Sequence, residues 1–138
     1  MIAVRYFTRS GNTKKLAEAV ARAVKAGEKP VSADLPAKTD LLFLGSSVYA
    51  GRFDPAVGEF LVRNVDKIGK ICVFGSSASG KTVRRKLEKL LETTGVTVLK
   101  EEFSCPGHFL FMHKERPNRD DLKRAAAFAL EIKEKYAK

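Results

Sequence analysis

Two kinds of segment alternate along the chain. Mostly apolar segments lie at residues 2–7, 40–45 and 70–74, residues 96–103 are predicted as a last strand, and segments with spaced apolar positions lie between and after these strands. Continuous runs are typical of strands covered on both faces of a parallel sheet. Residues 27–29 are predicted to close the first helix, and residues 30–35 are a weaker strand candidate. The pattern predicts one α/β domain over residues 1–138, with a doubly wound, five-stranded parallel sheet in a three-layer α/β/α arrangement.

Four segments have the three-to-four-residue apolar spacing of amphipathic helices. Asp54 and Pro55 suit the N-cap and the first position of the second helix. The third helix is predicted to bury Leu90 and to end at Gly95, and the last to begin near Asn118. The inner faces of the first and last helices are predicted to consist of Leu16, Ala19, Val20, Ala23 and Val24, and of Ala125, Ala126, Ala129 and Ile132.

Three of the predicted strands end in loops of small and hydroxylated residues. These loops cover residues 8–13, 46–51 and 75–80. Ligands of doubly wound sheets bind outside the carboxyl ends of the strands, which all lie at one edge. The three loops are therefore predicted to build one binding site.

The first of these loops reads Thr-Arg-Ser-Gly-Asn-Thr and joins a strand to a helix. The hydroxyl groups of Thr8, Ser10 and Thr13 can donate to phosphate oxygens, and Gly11 can take a positive φ. The N–H groups and the dipole at a helix N-terminus favour the same ligand. The alternative is plain helix capping by Ser10 or Asn12. The two further loops at the same edge favour the binding site over the cap.

A second phosphate motif lies at residues 75–82, which match the pattern G-x-x-x-x-G-K-[ST] between a strand and a helix. It offers the alternative of a P-loop protein that binds ATP or GTP. Such a site needs an Mg²⁺-supporting aspartate at the end of another apolar strand. The strand after the motif ends in Ser104, and Asp40 opens its strand rather than closing it. The P-loop hypothesis is therefore less favoured than phosphate binding by the first loop.

Charge adds one constraint on partners. The 138 residues carry a formal net charge of +10, which attracts anions. The basic residues are spread over predicted helix faces, and the one dense run, at residues 81–86, is not interleaved with aromatic residues. Nucleic acid is therefore a poor fit, although a basic interaction module without a cofactor remains a third hypothesis.

Other site classes find little support. Cys72 lies in an apolar run and is predicted to be buried, whereas Cys105 is placed in a long irregular segment at residues 104–117. Neither has the spacing of a metal ligand, so no metal site is predicted. No apolar run is long enough to span a membrane and no signal-peptide pattern opens the chain, so a cytoplasmic protein is predicted.

The first loop resembles the phosphate loop of flavodoxins, which has the form Thr/Ser-x-Thr/Ser-Gly-x-Thr and also follows the first strand. Residues 44–51 resemble the segment in which a flavodoxin strand ends in a loop beside the flavin ring. Residues 75–80 lie where the third loop of that family approaches the ring. The resemblance extends over the whole chain in element order and length. It implies a flavodoxin-like domain that binds FMN non-covalently for electron transfer or flavin-dependent oxidoreduction.

The resemblance also implies which residues hold the cofactor. Those at the phosphate would be Thr8, Arg9, Ser10, Gly11, Asn12 and Thr13. Those along the two sides of the isoalloxazine ring would be Ser47, Val48, Tyr49, Ala50 and Gly51, and Ser76, Ser77, Ala78 and Gly80. The chain departs from the family in having no tryptophan and no aromatic residue in the third loop. Phe109 or Phe111 could cover the ring instead.

The net charge is a further departure, because flavodoxins are typically acidic. A basic member is expected to meet an acidic redox protein, or to pass electrons to a small-molecule acceptor such as a quinone. The sequence leaves open whether the protein is an electron carrier or an FMN-dependent oxidoreductase.

Overall fold

The structure, a computed structural model, describes residues 1–8, 11–47, 54–77, 84–106 and 117–137. Within these ranges the strands are β1 (Ile2–Phe7), β2 (Glu28–Pro30), β3 (Thr39–Ser47), β4 (Ile68–Ser77) and β5 (Thr97–Pro106). The α-helices are α1 (Asn12–Val24), α2 (Pro55–Asn64), α3 (Arg84–Leu91) and α4 (Arg119–Tyr136), and a 3₁₀ turn, Val65–Lys67, follows α2.

The strands form one parallel sheet in the order β2-β1-β3-β4-β5. The chain starts inside the sheet, moves outward to β2 and then returns past β1 to β3. The direction of winding therefore reverses between β1 and β3, as in a doubly wound sheet. This arrangement confirms the predicted fold class.

Two hydrophobic clusters cover opposite faces of the sheet. Alternate residues of β3 divide between them: Leu42 and Leu44 belong to the cluster that includes α2 and α3, and Leu41 and Phe43 to the cluster that includes α1 and α4. Successive side chains of a strand point to opposite faces, so a strand covered on both sides must be apolar throughout. This is why the continuous apolar runs of the sequence predict the central strands correctly.

The second strand was wrongly predicted at residues 30–35. Helix α1 ends at Val24, and Lys25 follows in the left-handed region with a φ of 58°. The chain then pairs with β1 already at residues 28–30, so the predicted helix end at residues 27–29 is also wrong. The N–H group of Val31 still donates to the carbonyl oxygen of Tyr6 at 2.9 Å, after which the chain turns.

Polar side chains from β1 and α2 hold residues 31–38 in these turns. Arg5, only 3% exposed, donates from Nε to the carbonyl oxygen of Ala33 at 2.9 Å and from Nη2 to that of Asp34 at 3.0 Å. Oδ1 of the buried Asn64 accepts from the N–H of Leu35 at 2.9 Å. These bonds replace the partners that a strand would have given the same backbone groups.

Two further predictions are corrected by the structure. Leu90 is 48% exposed, because the narrow buried stripe of the eight-residue α3 consists of Leu87 and Leu91. Cys105 lies within β5 and is buried, because that strand continues to Pro106 instead of ending at Phe103. The predicted helix starts at Asp54, with Pro55 in the first turn, and at Asn118 are confirmed.

The end of α4 is tied to β5 through Glu101, whose side chain is 22% exposed. Its carboxylate accepts from Nζ of Lys135 at 2.7 Å and from the hydroxyl of Tyr136 at 2.8 Å. The hydrogen bond from Lys135, followed by that from Tyr136, lowers the pKa of Glu101 from its ordinary 4.5 to about 2.

This contact predicts a pH-dependent loss of stability in Glu101→Gln. Because the pKa is lowered in the folded state, the carboxylate stabilises the fold above about pH 4.5, and this contribution is lost as the pH falls toward 2. We expect the variant to unfold a few degrees below the parent at pH 7 and at nearly the same temperature near pH 2. Thermal unfolding followed by circular dichroism checks this. Glu131→Gln, at an exposed position of α4, is the control; equal shifts in both variants would contradict the role of Glu101.

Candidate functional site

The carboxyl ends of four neighbouring strands lie side by side at one edge of the sheet. In the strand register Phe7 is opposite Ser46, Ser46 is opposite Gly75, and Gly75 is opposite Ser104. The segments that follow β1, β3 and β4 therefore leave the sheet from adjacent points. This is the edge at which the three small-residue loops were predicted to meet.

The turn between β1 and α1 is built around Gly11. The N–H group of Gly11 donates to Oγ1 of Thr8 at 2.9 Å, and Gly11 has a φ of 87°. A Cβ atom at this position would find open space, so the positive φ, rather than crowding, is what requires glycine here. The structure thus shows the positive φ that the sequence pattern allowed for Gly11.

Helix α1 begins without a side-chain cap, because its N-cap residue is Gly11. By contrast, Asp54 accepts from the N–H of Ala56 at 2.9 Å at the start of α2, and Asn118 and Asp121 form a reciprocal capping box at the start of α4. Asn12 lies inside α1 and is not its cap, so the capping alternative is wrong for this residue.

The first turn of α1 also carries no acidic residue. The partial positive charge of the helix N-terminus is therefore not compensated by a carboxylate of its own first turn. Asn12 and Thr13, the first two residues of the helix, are buried. The arrangement suits an anion approaching from the edge of the sheet.

The structure brings together part of the predicted site. Thr8, Gly11, Asn12 and Thr13 lie at the β1–α1 turn, and the backbones of Ser47, Ser76 and Ser77 form the last positions of β3 and β4. The remaining predicted site residues lie outside the described ranges: Arg9, Ser10, Val48, Tyr49, Ala50, Gly51, Ala78 and Gly80, together with Phe109 and Phe111.

Two glycines near the ends of β3 and β4 are not among the residues predicted to hold the cofactor. A Cβ atom on Gly45 would lie 2.4 Å from the ring of the buried Phe74. A Cβ atom on Gly75 would lie 2.4 Å from the carbonyl oxygen of Ser46. Any side chain would overlap the Phe74 ring at residue 45 or the Ser46 carbonyl oxygen at residue 75, so glycine is required at both positions. Their one sequence signal is a glycine at the end of an apolar run.

The register of β4 also bears on the P-loop motif. Gly75, Ser76 and Ser77 are paired with β3 or β5 as part of β4, and residues 78–83 lie outside the described ranges. A P-loop needs its first residues in a turn whose N–H groups surround phosphates. Pairing in the sheet engages the backbone of these three residues, which counts against the motif.

A groove of about 430 Å³ adjoins the β1–α1 turn on the side of α2. It is lined by Tyr6 and Phe7 of β1, by Thr8 of the turn, and by Val31 and Ala56. Arg63 at its rim already donates to Asp34 and to the carbonyl oxygen of Val31. The groove therefore offers apolar contact beside the turn rather than a second site for an anion.

The described part of the chain lacks the features of several other site classes. It contains no group of three His, Cys, Asp or Glu side chains that could hold a metal ion. Burial raises the pKa of the Cys72 thiol, which opposes formation of a nucleophilic thiolate. None of the described helices has the length and apolarity needed to cross a bilayer.

The sheet order and the helices on both faces define a flavodoxin-like α/β protein. The sequence profile of the family Flavodoxin_5, the flavodoxin domain, matches residues 3–104. The chain therefore belongs to the flavodoxin family.

Individual relatives agree with this assignment. An uncharacterized protein of Methanocaldococcus jannaschii is 29% identical over an alignment of 136 residues, which covers 88% of this chain and 89% of that protein. A flavodoxin from the domain Archaea superposes with a TM-score of 0.76 at 20% identity, over 98% of both chains. Oxidised flavodoxin 2 of Bacillus cereus superposes with a TM-score of 0.70 at 18% identity, over 98% of this chain and 99% of that one. At these identities the two superpositions show a common fold.

Proposed function

We propose that this protein is a single-domain flavodoxin that binds FMN non-covalently at the carboxyl edge of its sheet. Bound there, FMN supplies the redox chemistry, either as an electron carrier or as the cofactor of an oxidoreductase. The observation that carries the proposal is the β1–α1 turn, where Gly11 has a positive φ and α1 has neither a side-chain cap nor a first-turn acid. Membership of the flavodoxin family selects FMN among phosphorylated ligands.

The turn has the groups that a phosphate dianion requires. The N–H groups of the first turn of α1 point toward the edge of the sheet, and the helix dipole adds to their attraction. The hydroxyl of Thr8 accepts from the N–H of Gly11, which leaves its own proton to donate to a phosphate oxygen. Arg9, Ser10 and Thr13 complete the phosphate set by resemblance to the family.

The isoalloxazine ring of the cofactor would lie at the same edge of the sheet. Residues 47–51 would line one side of the isoalloxazine and residues 76–78 and 80 the other, since they continue from the neighbouring ends of β3 and β4. The protein would position the ring and exclude water from it. The proposal requires no nucleophile or general base from the chain. A cytoplasmic location and an acidic redox partner, or a small-molecule acceptor, remain predictions that accompany it.

The absorption spectrum of the purified protein tests the proposal. We expect a yellow protein with bands at about 370 and 450 nm, or a colourless one that acquires these bands after addition of FMN and gel filtration. A P-loop protein would instead bind Mg-ATP and lose this binding in Lys81→Ala. A basic module without a cofactor would bind only polyanions, with a steep salt dependence. Protein that takes up no added FMN would contradict the proposal.

A further inference from the structure

Helices α1 and α4 pack beside each other on one face of the sheet, and their outer surfaces border an open groove of about 480 Å³. Its floor is apolar and consists of Ala19, Ala23, Leu122, Ala126 and Leu130. The first four are half-buried, and Leu130 is 44% exposed. The apolar stripes of the two helices are therefore wider than the core of this chain covers.

The rim of the groove is cationic. Lys15 and Arg22 lie on the α1 side and Arg119 and Lys123 on the α4 side, while Glu18 is the one acidic residue among the lining residues. All four cations are exposed, and none of them has an ion-pair partner among the residues that the structure describes. Apolar lining residues beside four unpaired cations are complementary to a ligand that combines an apolar stripe with carboxylates.

We propose that this groove, which we call the α1–α4 groove, is the docking surface for an acidic amphipathic helix of a partner protein. The lining residues, cations included, span about 12 Å along α1 (residues 15–23) and about 16 Å along α4 (residues 119–130), which matches about two to three turns of a docked helix. Such a helix places apolar residues at i, i+3, i+4 and i+7 on the floor and its Asp or Glu side chains at the rim.

Two other occupants fit less well. A nucleic acid would pair with the cations but has no use for the apolar floor, and no aromatic side chain among the lining residues is available to stack on a base. A second copy of the chain would bring together two molecules of net charge +10, which repel each other. An acidic protein segment uses both the floor and the rim.

The position of the groove relates it to the proposed redox function. Both helices start at the carboxyl edge of the sheet, so Lys15 and Arg119, each in the first turns of its helix, lie at the end of the groove nearest the candidate cofactor site. A partner docked here lies next to that edge. The proposal thus assigns a location to the predicted acidic partner. That this partner exchanges electrons with the protein rests on the proposed redox function, whereas binding in the groove does not depend on it.

A labelled synthetic peptide tests the proposal. The probe is a helical peptide of about 14 residues with a leucine stripe flanked by glutamates, compared with a scrambled peptide of the same composition and with a single-stranded DNA of equal charge. Fluorescence anisotropy is measured at low and at physiological salt. We expect the helical peptide to bind at least tenfold more tightly than the scrambled peptide, with about 1:1 stoichiometry. Equal affinity for all three probes would overturn the proposal in favour of general attraction to a basic protein.

Matched variants locate the binding. Lys15→Glu with Lys123→Glu reverses two rim charges, whereas Lys29→Glu with Lys38→Glu makes the same change in net charge at exposed positions outside the groove. We expect at least a tenfold loss of affinity in the first pair and less than a threefold loss in the second. Equal losses would overturn the proposal. Thermal unfolding of both pairs verifies that they are folded.

A second comparison probes the floor without changing charge. Leu130→Ser removes an exposed leucine from the groove, and Leu90→Ser removes a similarly exposed leucine from α3. We expect about a fivefold loss of affinity in the first variant and no change in the second. Sedimentation analysis measures the oligomeric state of the parent protein and of Leu130→Ser. A dimeric parent that becomes monomeric in Leu130→Ser would overturn the proposal in favour of self-association.

The measurements are made on flavin-free protein and again after addition of FMN. Groove-dependent peptide binding by a protein that takes up no flavin would support the docking surface and contradict the redox function. Flavin uptake without groove-dependent peptide binding would support the redox function and overturn the docking surface.

Discussion

Flavin-free protein is expected to bind FMN about 100-fold more tightly than riboflavin, a difference of about 2.7 kcal/mol. The two ligands differ only in the phosphate, so the ratio of their dissociation constants isolates what the β1–α1 turn contributes. A dianion gains up to about 2 kcal/mol from a helix N-terminus in a partly buried site, and about 1.5–3 kcal/mol from each charge-assisted hydrogen bond. Part of this gain offsets the desolvation of the phosphate. Quenching of flavin fluorescence on titration with protein measures both constants.

A pair of glycine substitutions shows whether the turn is responsible. Gly11 and Gly95 have nearly the same positive φ, 87° and 84°, and neither would place a Cβ atom within 4 Å of another group. Alanine at either position therefore meets the same backbone strain, about 1–2 kcal/mol. Gly11 lies in the candidate phosphate turn, whereas Gly95 follows α3 at the opposite edge of the sheet, just before β5.

We expect Gly11→Ala to weaken FMN binding about tenfold and riboflavin binding much less, since the strained turn no longer presents its N–H groups to the phosphate. Gly95→Ala is expected to lower stability to a similar extent and to leave both affinities unchanged. FMN and riboflavin of equal affinity in the parent protein would contradict the assignment of the turn. So would equal effects of the two substitutions on FMN affinity.

The central strands could be predicted because strands that are buried on both faces have mainly apolar sequences. The β2 region could not, because it lacks such a run and its conformation depends on distant side chains. Arg5 looks from its position like a polar interruption of an apolar strand. In the structure its guanidinium is buried and binds the carbonyl oxygens of residues 33 and 34. A contact over 28 or 29 positions has no local signal in the sequence.

The candidate site also has one part that could be predicted from local sequence and one part that could not. The Thr-x-x-Gly spacing of the first loop is local, and the bond between Thr8 and Gly11 spans only three residues, so this turn could be anticipated. The fit of Gly45 against Phe74 depends on the register of two strands separated by α2. The register of the strands depends on the whole sheet, so the sequence alone cannot show which glycine lies opposite which aromatic ring.

The close fit of Gly45 against the Phe74 ring predicts that substitution of this glycine lowers the free energy of unfolding more than the other substitutions considered. Gly45 and Phe74 are opposite each other on β3 and β4, and a Cβ atom at residue 45 would lie 2.4 Å from ring atoms of Phe74. The ring is fully buried, so it cannot move aside without disturbing the α1–α4 side of the core. We expect Gly45→Ala to lower the free energy of unfolding by about 3 kcal/mol. Urea unfolding followed by circular dichroism measures this quantity.

A double-mutant cycle separates this overlap from a general intolerance of alanine in β3. Phe74→Leu removes the ring atoms that a Cβ at residue 45 would meet and by itself is expected to cost about 1–2 kcal/mol through the cavity it leaves. If the clash with the ring causes the effect, the methyl group added by Gly45→Ala fills part of the space that Phe74→Leu leaves empty. Gly45→Ala with Phe74→Leu should then be about 2 kcal/mol more stable than the sum of the single effects predicts.

Gly27→Ala is the control, because Gly27 has an ordinary φ and no atom within 4 Å of the added Cβ. We expect it to be neutral or up to about 1 kcal/mol stabilising, since alanine restricts the unfolded chain more than glycine does. Additive losses in the cycle would contradict the direct contact between residues 45 and 74. A coupling of the expected size would show that this glycine allows the carboxyl ends of β3 and β4, from which both proposed ring-lining segments continue, to lie beside a buried aromatic ring.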